Sequence, residues 1–531
     1  MTTQTQLIRS IFTTRPDLST LLFCRGFLIT TDPQIQAHDH PFYGQWNEKS
    51  IGSYRIFTHP QQNLFVKAEG DLSIFLIGHC LNPFDMMYNE NEILDKLFPL
   101  LRKSKDQALE YVNQFTGSFL IGVIHGQDMY FLSDPSGMLF SCFGQFGSVF
   151  CISSHVQLIG DLYPVTQDEY TIKLINYRYF YKYGVFFPGD RTAYTEVKRV
   201  LQNHVMHYDG SSVTQSRFYP VLELRHVQTP DEYRTLLDNV TTILRNTLQL
   251  AAQKWPLPAI SMTGGMDSKT TVACANGLYD QFTYYSYISM HGDRIDAEAA
   301  HKIAEHIGIP HSILNISEKN EDFPDIEIYK AIMEHNNGGF RLNANDIRKR
   351  VFLLKHKSDC VEVKSWISEI ARSNYYKKFG LKKMPRHLSP RHMTTMFKIF
   401  TTQRRLAKQT DAIFEEFIKK TNFHSIPIGY DESDMYLWEF RYSAWGGKVI
   451  TAEHSFTNTI FIPYNNRLLL NLMLAAPLHK RISDEFHEDL IRHANSRIDE
   501  MGITVTNWNE TKKRMIVEKL YFLIHSFFRF L

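Results

Sequence analysis

The most informative segment of this chain is Ile260-Ser261-Met262-Thr263-Gly264-Gly265-Met266-Asp267-Ser268-Lys269. A short apolar run leads into two adjacent glycines, and an Asp-Ser pair then opens a stretch typical of a helix. Glycines let backbone N–H groups approach phosphate oxygens closely, and a helix N-terminus adds further donors and a favourable dipole. The spacing matches neither the Walker loop nor the G-x-G-x-x-G dinucleotide turn. The segment therefore predicts a pyrophosphate-binding turn, with an ordinary Gly-Gly turn and an Asp cap as the alternative.

The flanking pattern places this turn in a parallel sheet. A long helix is predicted over 232–253, and strands over 259–262, 282–290 and 311–316 then alternate with helices over 268–276 and 296–307. Strands that alternate with helices in this way form a parallel sheet with helices on both faces. Open sheets of this kind bind ligands at the carboxyl ends of their strands, and that is where the glycines lie.

The first 215 residues have a different pattern. Short runs rich in aromatic and branched residues predict strands over 21–30, 72–77, 118–124 and 129–132, and one helix is predicted over 91–115. Strands in series with few helices favour a sandwich. We therefore expect an α+β N-terminal domain over residues 1–220. An α/β domain should follow over 221–531, and its part beyond residue 325 should be mainly helical, with a strand-like segment at 360–366.

Bulk composition is that of an ordinary globular protein. The 531 residues are 43% hydrophobic and 21% charged, with a net charge of +2, which argues against a dedicated nucleic-acid binder. The six cysteines form no C-x-x-C pair. The N-terminus lacks the apolar region of a signal peptide, and no window reaches the ~18 apolar residues of a membrane span. The expected location is the cytoplasm.

Several motifs together resemble known families. The turn is similar to the SGGxDS loop of the PP-loop ATP pyrophosphatases, with Thr263 replacing the first serine. Three further segments resemble the asparagine synthetase family: 296–311 the family's helix–strand segment, 461–469 its late R-x-P-F-x-D segment, and 117–137 a hairpin of its N-terminal Ntn-type amidotransferase domain. The resemblance spans most of the chain, and it is most specific at the turn.

This resemblance implies a two-step reaction. ATP adenylates a carboxylate with release of pyrophosphate, and an amine or ammonia then forms the amide. The implied cofactors are ATP and Mg²⁺. The candidate nucleotide-binding residues are Ser261, Thr263, Gly264, Gly265, Asp267 and Ser268. Asp267 and Glu369 are the candidate magnesium ligands.

Two departures from the family change the prediction. Full glutaminases of this type begin Met-Cys, whereas residue 2 here is Thr2, so the N-terminal domain is expected to lack glutaminase activity. The family's glycine-rich acidic loop is replaced by Val363-Lys364-Ser365-Trp366-Ile367-Ser368-Glu369. Glu369 survives, while Lys364 and Arg372 are new and are predicted, with Glu369, to be catalytic by offsetting phosphate charge. A solvated basic helix start is the alternative.

Three classes of function stay open. The first is a ligase for a specialised carboxylate in a glycan, peptide or small metabolite, as in the macrolactam-forming cyclases and β-lactam-forming synthetases that resemble this family. The second is glutamine-dependent asparagine synthesis, which Thr2 disfavours. The third is a non-catalytic descendant. Lysines and arginines between residues 377 and 391 can hold a polyanion or simply form a surface loop. Nucleic acid is not the expected partner, and a homodimer is left open.

Overall fold

The computed structural model describes residues 3–357, 360–398, 403–503 and 512–527. Thr2, on which the glutaminase prediction turned, lies outside these residues. None of the helices within the described ranges combines the length and apolar character that crossing a bilayer would require.

The N-terminal half is built around antiparallel strands. Its strands are β1 Phe27–Thr30, β2 Asn47–Ile51, β3 Tyr54–Thr58, β4 Leu64–Glu69, β5 Leu72–Leu81, β6 Thr116–His125, β7 Asp128–Ser133, β8 Cys142–Phe146, β9 Val149–Ser153, β10 Val197–Arg199, β11 His204–Tyr208 and β12 Val213–Arg217. Its helices are α1 Thr3–Thr14, α2 Glu90–Lys103, α3 Lys105–Val112, α4 Val156–Leu162, α5 Glu169–Ile175 and α6 Phe180–Tyr183.

These strands form two sheets that pack face to face. The described strands pair in the orders β10-β8-β9-β1-β3-β2 and β12-β11-β7-β6-β5-β4. Alternation along a strand sends neighbouring side chains to opposite faces, so Phe27 and Ile29 of β1 meet Phe75 and Ile77 of β5 in the core between the sheets. Leu28 faces the other way. The predicted sandwich is confirmed.

Helices cover the outer faces of both sheets. Helices α2 and α3 pack on the sheet of β5 through Ile93, Leu97 and Val112. The outer face of the β1 sheet is covered by residues from α1 and α4 and from two later helices, through Ile8, Leu158, Ile332 and Val351. The N-terminal half is therefore a four-layer arrangement of helix, sheet, sheet and helix.

The second half contains the parallel sheet. Its strands are β13 Ala259–Ser261, β14 Thr283–Ile288, β15 Ser312–Asn315, β16 Val361–Val363 and β17 Thr459–Phe461. Its helices are α7 Pro230–Lys254, α8 Met266–Cys274, α9 Asp293–Ile307, α10 Ile326–Asn336, α11 Ala344–Lys357, α12 Asn374–Phe379, α13 Pro390–Met396, α14 Arg404–Lys420, α15 Glu432–Met435, α16 Arg467–Leu474, α17 Leu478–Ser483, α18 Glu485–Ala494, α19 Ser496–Glu500 and α20 Lys512–Phe527, with π-helical turns over Tyr436–Gly447 and Ile450–His454.

The described strands of this sheet run parallel in the order β15-β14-β13-β16-β17. Ile260 joins the core shared with α7, α8 and α9, while its neighbour Ala259 meets Leu353 of α11 on the opposite face. The sheet therefore has helices on both faces, as predicted. Strand order reverses between β13 and β16, which makes the carboxyl ends of these two strands the topological switch point.

A buried polar network joins the two halves. Asn465, just after β17, donates to the Gly117 carbonyl at 2.6 Å and to Asp134 at 2.7 Å. The two terminal nitrogens of Arg217 donate hydrogen bonds to the Glu439 carboxylate, at 2.6 and 2.9 Å. Asn465, Asp134 and Glu439 are buried, and each has at least one hydrogen-bond partner in the other half.

Three sequence-based expectations about elements need correction. The single helix predicted over 91–115 is two helices, because the Ser104 side chain accepts from Gln107 N and starts a new helix there. The strand predicted from residue 21 begins at Phe27, after a 3₁₀ turn over Pro16–Leu21. The strand-like segment at 360–366 contributes only β16.

Candidate functional site

The predicted turn lies at the carboxyl end of β13, and the altered acidic loop follows β16 directly beside it. We call residues 263–268 and 364–372 together the switch-point site. The two segments are about one hundred residues apart in sequence, and the parallel pairing of β13 with β16 brings them together. The structure thus places the predicted residues of both segments at the edge where open α/β sheets bind ligands.

Internal hydrogen bonds hold the turn in shape. The Thr263 backbone N–H donates to Ser268 Oγ at 3.0 Å, and the Gly265 N–H donates to Thr263 Oγ1 at 3.2 Å. Gly265 adopts extended backbone angles and precedes the first residue of α8. The hydroxyls of Thr263 and Ser268, two of the candidate nucleotide-binding residues, therefore act here as acceptors inside the turn. The Ser261 hydroxyl points instead to the Val363 carbonyl of β16, at 3.5 Å.

Asp267 connects the two segments. One carboxylate oxygen accepts from the Ser368 hydroxyl, and the other accepts from Arg372 at 2.7 Å. Asp267 is part of the first turn of α8, where the positive end of the helix dipole stabilises its charge. The carboxylate of one predicted segment is thereby tied to the guanidinium of the other.

Arg372 bridges two carboxylates. Besides Asp267, it holds both oxygens of Asp484, at 2.7 and 3.0 Å, and the Lys377 ammonium also pairs with Asp484. Although burial works against its charged form, hydrogen bonding to Asp484 and the charge of Asp267 hold the pKa of Arg372 above its ordinary value. Burial likewise opposes the Asp484 carboxylate, but the hydrogen bonds from Arg372 lower the pKa of Asp484 to about 2. The result is a fixed, alternating array of charges beside the turn.

Glu369 is held differently. Burial raises its pKa to about 7, with the nearby charge of Asp267 adding to the rise. The Tyr442 hydroxyl, presented by the π-helical turns, donates to Glu369 and opposes that rise. The two carboxylates predicted to hold magnesium are therefore close enough to sense each other's charge, and one of them gains a proton readily near neutral pH.

Lys364 points away from this array. Its ammonium donates to Glu362 at 2.5 Å, and both side chains are buried. Val363 between them joins the core with α8, so Lys364 and Glu362 face the opposite side of the sheet, where Arg350 of α11 adds positive charge. The structure brings Glu369 and Arg372 to Asp267, whereas it pairs Lys364 with Glu362 on the opposite face of the sheet.

Sequence reasoning missed a histidine at this site. His487 of α18 is fully buried, with Nε2 4.0 Å from Asp267 Oδ1, and neither ring nitrogen has a hydrogen-bond partner among the described residues. Burial lowers the pKa of His487 to about 4, so its ring is neutral. Its nearest charged neighbour is therefore the Asp267 carboxylate.

The residues present fit the phosphates of a nucleotide. Thr263 is exposed, and Arg372 and Lys377 supply positive charge next to a helix N-terminus. Asp267 and Glu369 are the oxygen donors that a magnesium ion prefers. Binding would require Asp267 to exchange at least one of its present partners, and His487 offers a buried nitrogen on the same side.

Comparison with known proteins gives little direct help. No protein-family model and no curated protein matches the chain. Among solved structures, the allosteric regulatory enzyme of purine biosynthesis aligns at 13% identity and a TM-score of 0.24, covering 56% of this chain and 60% of that one. Glutamine phosphoribosylpyrophosphate amidotransferase from B. subtilis, complexed with ADP and GMP, aligns at 11% identity and a TM-score of 0.23, covering 67% and 73%.

The alignment thus spans less than two thirds of the first of these two proteins. At TM-scores this low, neither likeness bears on the fold or on the function of this chain. What the chain can do has to be argued from its own geometry.

Proposed function

We propose that this chain is an ATP-dependent ligase that adenylates a carboxylate, releases pyrophosphate, and passes the acyl group to an amine or ammonia. One observation carries the proposal. The Gly264-Gly265 turn and Asp267 lie at the topological switch point of a parallel sheet, directly against Glu369 and Arg372 from the neighbouring strand's loop. The resemblance of the turn to the PP-loop and of the chain to asparagine synthetases supplies the reaction class.

The roles of the residues follow from their positions. Backbone N–H groups of the turn and the start of α8 would face the departing pyrophosphate. Arg372, already poised between two carboxylates, would neutralise the charge that develops on the phosphates. Lys377, which also pairs with Asp484, lies beside Arg372 and can add positive charge facing the phosphates. We assign this role to Arg372 and Lys377 and not to Lys364, whose ammonium is bound to Glu362.

Asp267 and Glu369 would hold the magnesium ion that accompanies ATP, and the ion would screen the phosphate oxygens during adenylation. The carboxylate form of Glu369 is the one that binds a cation, so its raised pKa makes that binding sensitive to pH near 7. The hydroxyl of Tyr442 favours the carboxylate form.

For the N-terminal half we propose an Ntn-type fold without glutaminase activity. The helix–sheet–sheet–helix layering supports the fold. Cys24, a candidate thiol near the start of β1, is buried, and burial raises its pKa despite the nearby Arg25, so a reactive thiolate is disfavoured there. Ammonia or an amine would then reach the enzyme from solution or from another protein.

A second candidate is favoured by the closed state of the turn. The Thr263 and Gly265 N–H groups already donate to side-chain acceptors, and the Asp267 carboxylate already accepts a hydrogen bond from Arg372. A non-catalytic descendant that keeps the fold without binding nucleotide would look like this.

ATP–pyrophosphate exchange with a panel of carboxylates separates the two candidates. The ligase proposal expects labelled pyrophosphate to enter ATP only when an accepted carboxylate is present, together with AMP release when an amine is added. Binding of a non-hydrolysable ATP analogue, measured by calorimetry, extends the test to carboxylates outside the panel. A chain that binds no analogue and exchanges no pyrophosphate would overturn the proposal.

A further inference from the structure

A histidine–glutamate cluster lies outside the switch-point site. His387 Nδ1 is 2.8 Å and His424 Nδ1 is 2.9 Å from the same oxygen, Oε1 of Glu432. The three potential ligand atoms all lie within 4.8 Å of one another. They come from separate segments: the loop before α13, the turn after α14 and the first residue of α15. We call these three residues the rim cluster.

Burial differs within the rim cluster. The Glu432 side chain is 5% exposed, while those of His387 and His424 are 54% and 39% exposed. The second carboxylate oxygen accepts from the Leu388 backbone N–H at 2.6 Å, which fixes the orientation of the carboxylate. The carboxylate thus forms the floor of the cluster, and the two imidazoles form a rim open to solvent.

The charge of Glu432 is poorly compensated. Its partners among the described residues are the two imidazoles and one backbone N–H, with no lysine or arginine. Asp431 is adjacent in the chain and adds negative charge, whereas the nearby Asp434 is neutralised by Arg481. A nearly buried carboxylate in this setting gains more from a bound cation than from neutral donors.

We propose that the rim cluster binds a divalent transition-metal ion of the zinc class, with His387 Nδ1, His424 Nδ1 and a Glu432 carboxylate oxygen as ligands and water in the open position. Two imidazoles and one carboxylate suit zinc, whereas magnesium and calcium prefer oxygen ligands alone. The proposal goes beyond the function proposed for the switch-point site and does not depend on it.

The two imidazole–carboxylate separations need only a small adjustment. Ligands about 2.0 Å from a tetrahedral zinc ion lie about 3.3 Å apart, so the 2.8 and 2.9 Å separations would each open by about half an ångström. Both imidazole side chains are exposed and can move by that amount. Each neutral imidazole would carry its proton on Nε2 and present the Nδ1 lone pair to the ion.

A second, superficially similar cluster shows why exposure matters. Asp161 meets His40 and His335 at 2.9 and 2.8 Å but also accepts from Thr5 and Gln157 on its other oxygen, each at 2.9 Å. All three side chains of the histidine–aspartate group are nearly or fully buried. That carboxylate is satisfied four times and has no open position, so we assign it a structural role.

A bound ion would also brace the neighbourhood of the switch-point site. Asp431, adjacent to Glu432, accepts from the Tyr376 hydroxyl of α12 at 2.5 Å. The next residue of α12, Lys377, pairs with Asp484, which Arg372 also holds. The rim cluster is therefore mechanically connected to the charged array through one short helix.

The test is zinc titration of the chelator-treated full-length chain by calorimetry, with cobalt absorption as a second readout. We expect one site that excess magnesium does not displace. His387→Ala, His424→Ala and Glu432→Gln should each weaken zinc binding by at least about 100-fold, the upper end of the loss caused by removing an outer partner. Zinc should raise the melting temperature of the wild type but not of these variants.

His125→Ala is the matched control, because His125 is exposed and also pairs with a carboxylate, Asp71. This variant should bind zinc like the wild type. Circular dichroism checks that each variant is folded, and the exposure of both imidazoles favours folding of the two histidine variants. Wild-type zinc affinity in a folded His387→Ala/His424→Ala double variant, or no zinc binding by the wild type, would overturn the proposal.

Discussion

The two loops that meet at the switch point are held in place in different ways. The loop after β13 is neutral and glycine-rich, and its shape comes from short-range bonds such as Thr263 N–H to Ser268 Oγ. The loop after β16 carries charge, and its side chains are placed by residues far away, such as Asp484 and Tyr442. One loop supplies backbone geometry and the other supplies charge, and Asp267 is where they touch.

The two loops should therefore respond differently to substitutions elsewhere in the chain. A turn fixed by its own residues keeps its shape when distant parts of the chain vary. An array of charges fixed by remote partners can be rearranged by one substitution at a distance.

The largest effect should come from removing the shared carboxylate. Asp267→Asn keeps the side-chain shape but loses the charge that anchors Arg372 and serves the proposed magnesium ion. We expect ATP–pyrophosphate exchange to fall by roughly 1000-fold, comparable to the loss of a major electrostatic group. Asp71→Asn, a change at an exposed aspartate of the N-terminal half, is the control. Wild-type exchange in folded Asp267→Asn would show that the two loops do not cooperate.

Lys364 should matter for folding more than for exchange. Lys364→Gln breaks a buried ion pair and leaves Glu362 without its nearest cation, which should cost about 3 kcal/mol in the free energy of unfolding. Urea denaturation measures that loss. Exchange per folded molecule should stay near the wild-type value; a large fall without a loss of stability would return Lys364 to the catalytic group.

Arg372 should matter for exchange more than for folding. Arg372→Gln removes the charge between Asp267 and Asp484, and we expect exchange to fall by about 100-fold. Arg372→Lys should recover only part of this loss, because one ammonium cannot reproduce the forked contact with both carboxylates. Equal activity of the lysine and glutamine variants would indicate that the charge itself is unimportant.

The smallest effect should be a shift in pH dependence. If Glu369 binds the cation as a carboxylate, exchange rises with pH through about 7, the pKa of Glu369. Tyr442→Phe removes a hydrogen bond that lowers this pKa, so the acidic limb should move to higher pH by less than about one unit. Tyr436→Phe, in the same π-helical turns, is the control. If the acidic limb of the pH profile is unchanged in Tyr442→Phe, Glu369 is not the group whose titration controls exchange.

Much of the fold could be predicted because its signals are local. The apolar run before Gly264 and the helical stretch after Asp267 identify β13 and α8 without any knowledge of their surroundings. The break at Ser104 also has a local signal, a serine followed three residues later by Gln107, which is typical of a helix cap.

The partners at the switch point have no such signal. Asp484 is 112 residues from Arg372, and Tyr442 is 73 residues from Glu369, so no motif links the members of either pair. His487 belongs to an ordinary amphipathic helix and is notable only because that helix packs against α8. The direction of Lys364 depends on which face of β16 it occupies, and that is set by the register of the sheet.

The network of Asn465, Asp134, Arg217 and Glu439 has a consequence for how this protein can be dissected. Cutting the chain between its halves would strand Arg217 on one fragment and Glu439 on the other, each deprived of its counter-ion. Fragments expressed alone should aggregate, whereas the two co-expressed should reassemble. The N-terminal half would then be needed for the second half to fold, whatever chemistry either half performs.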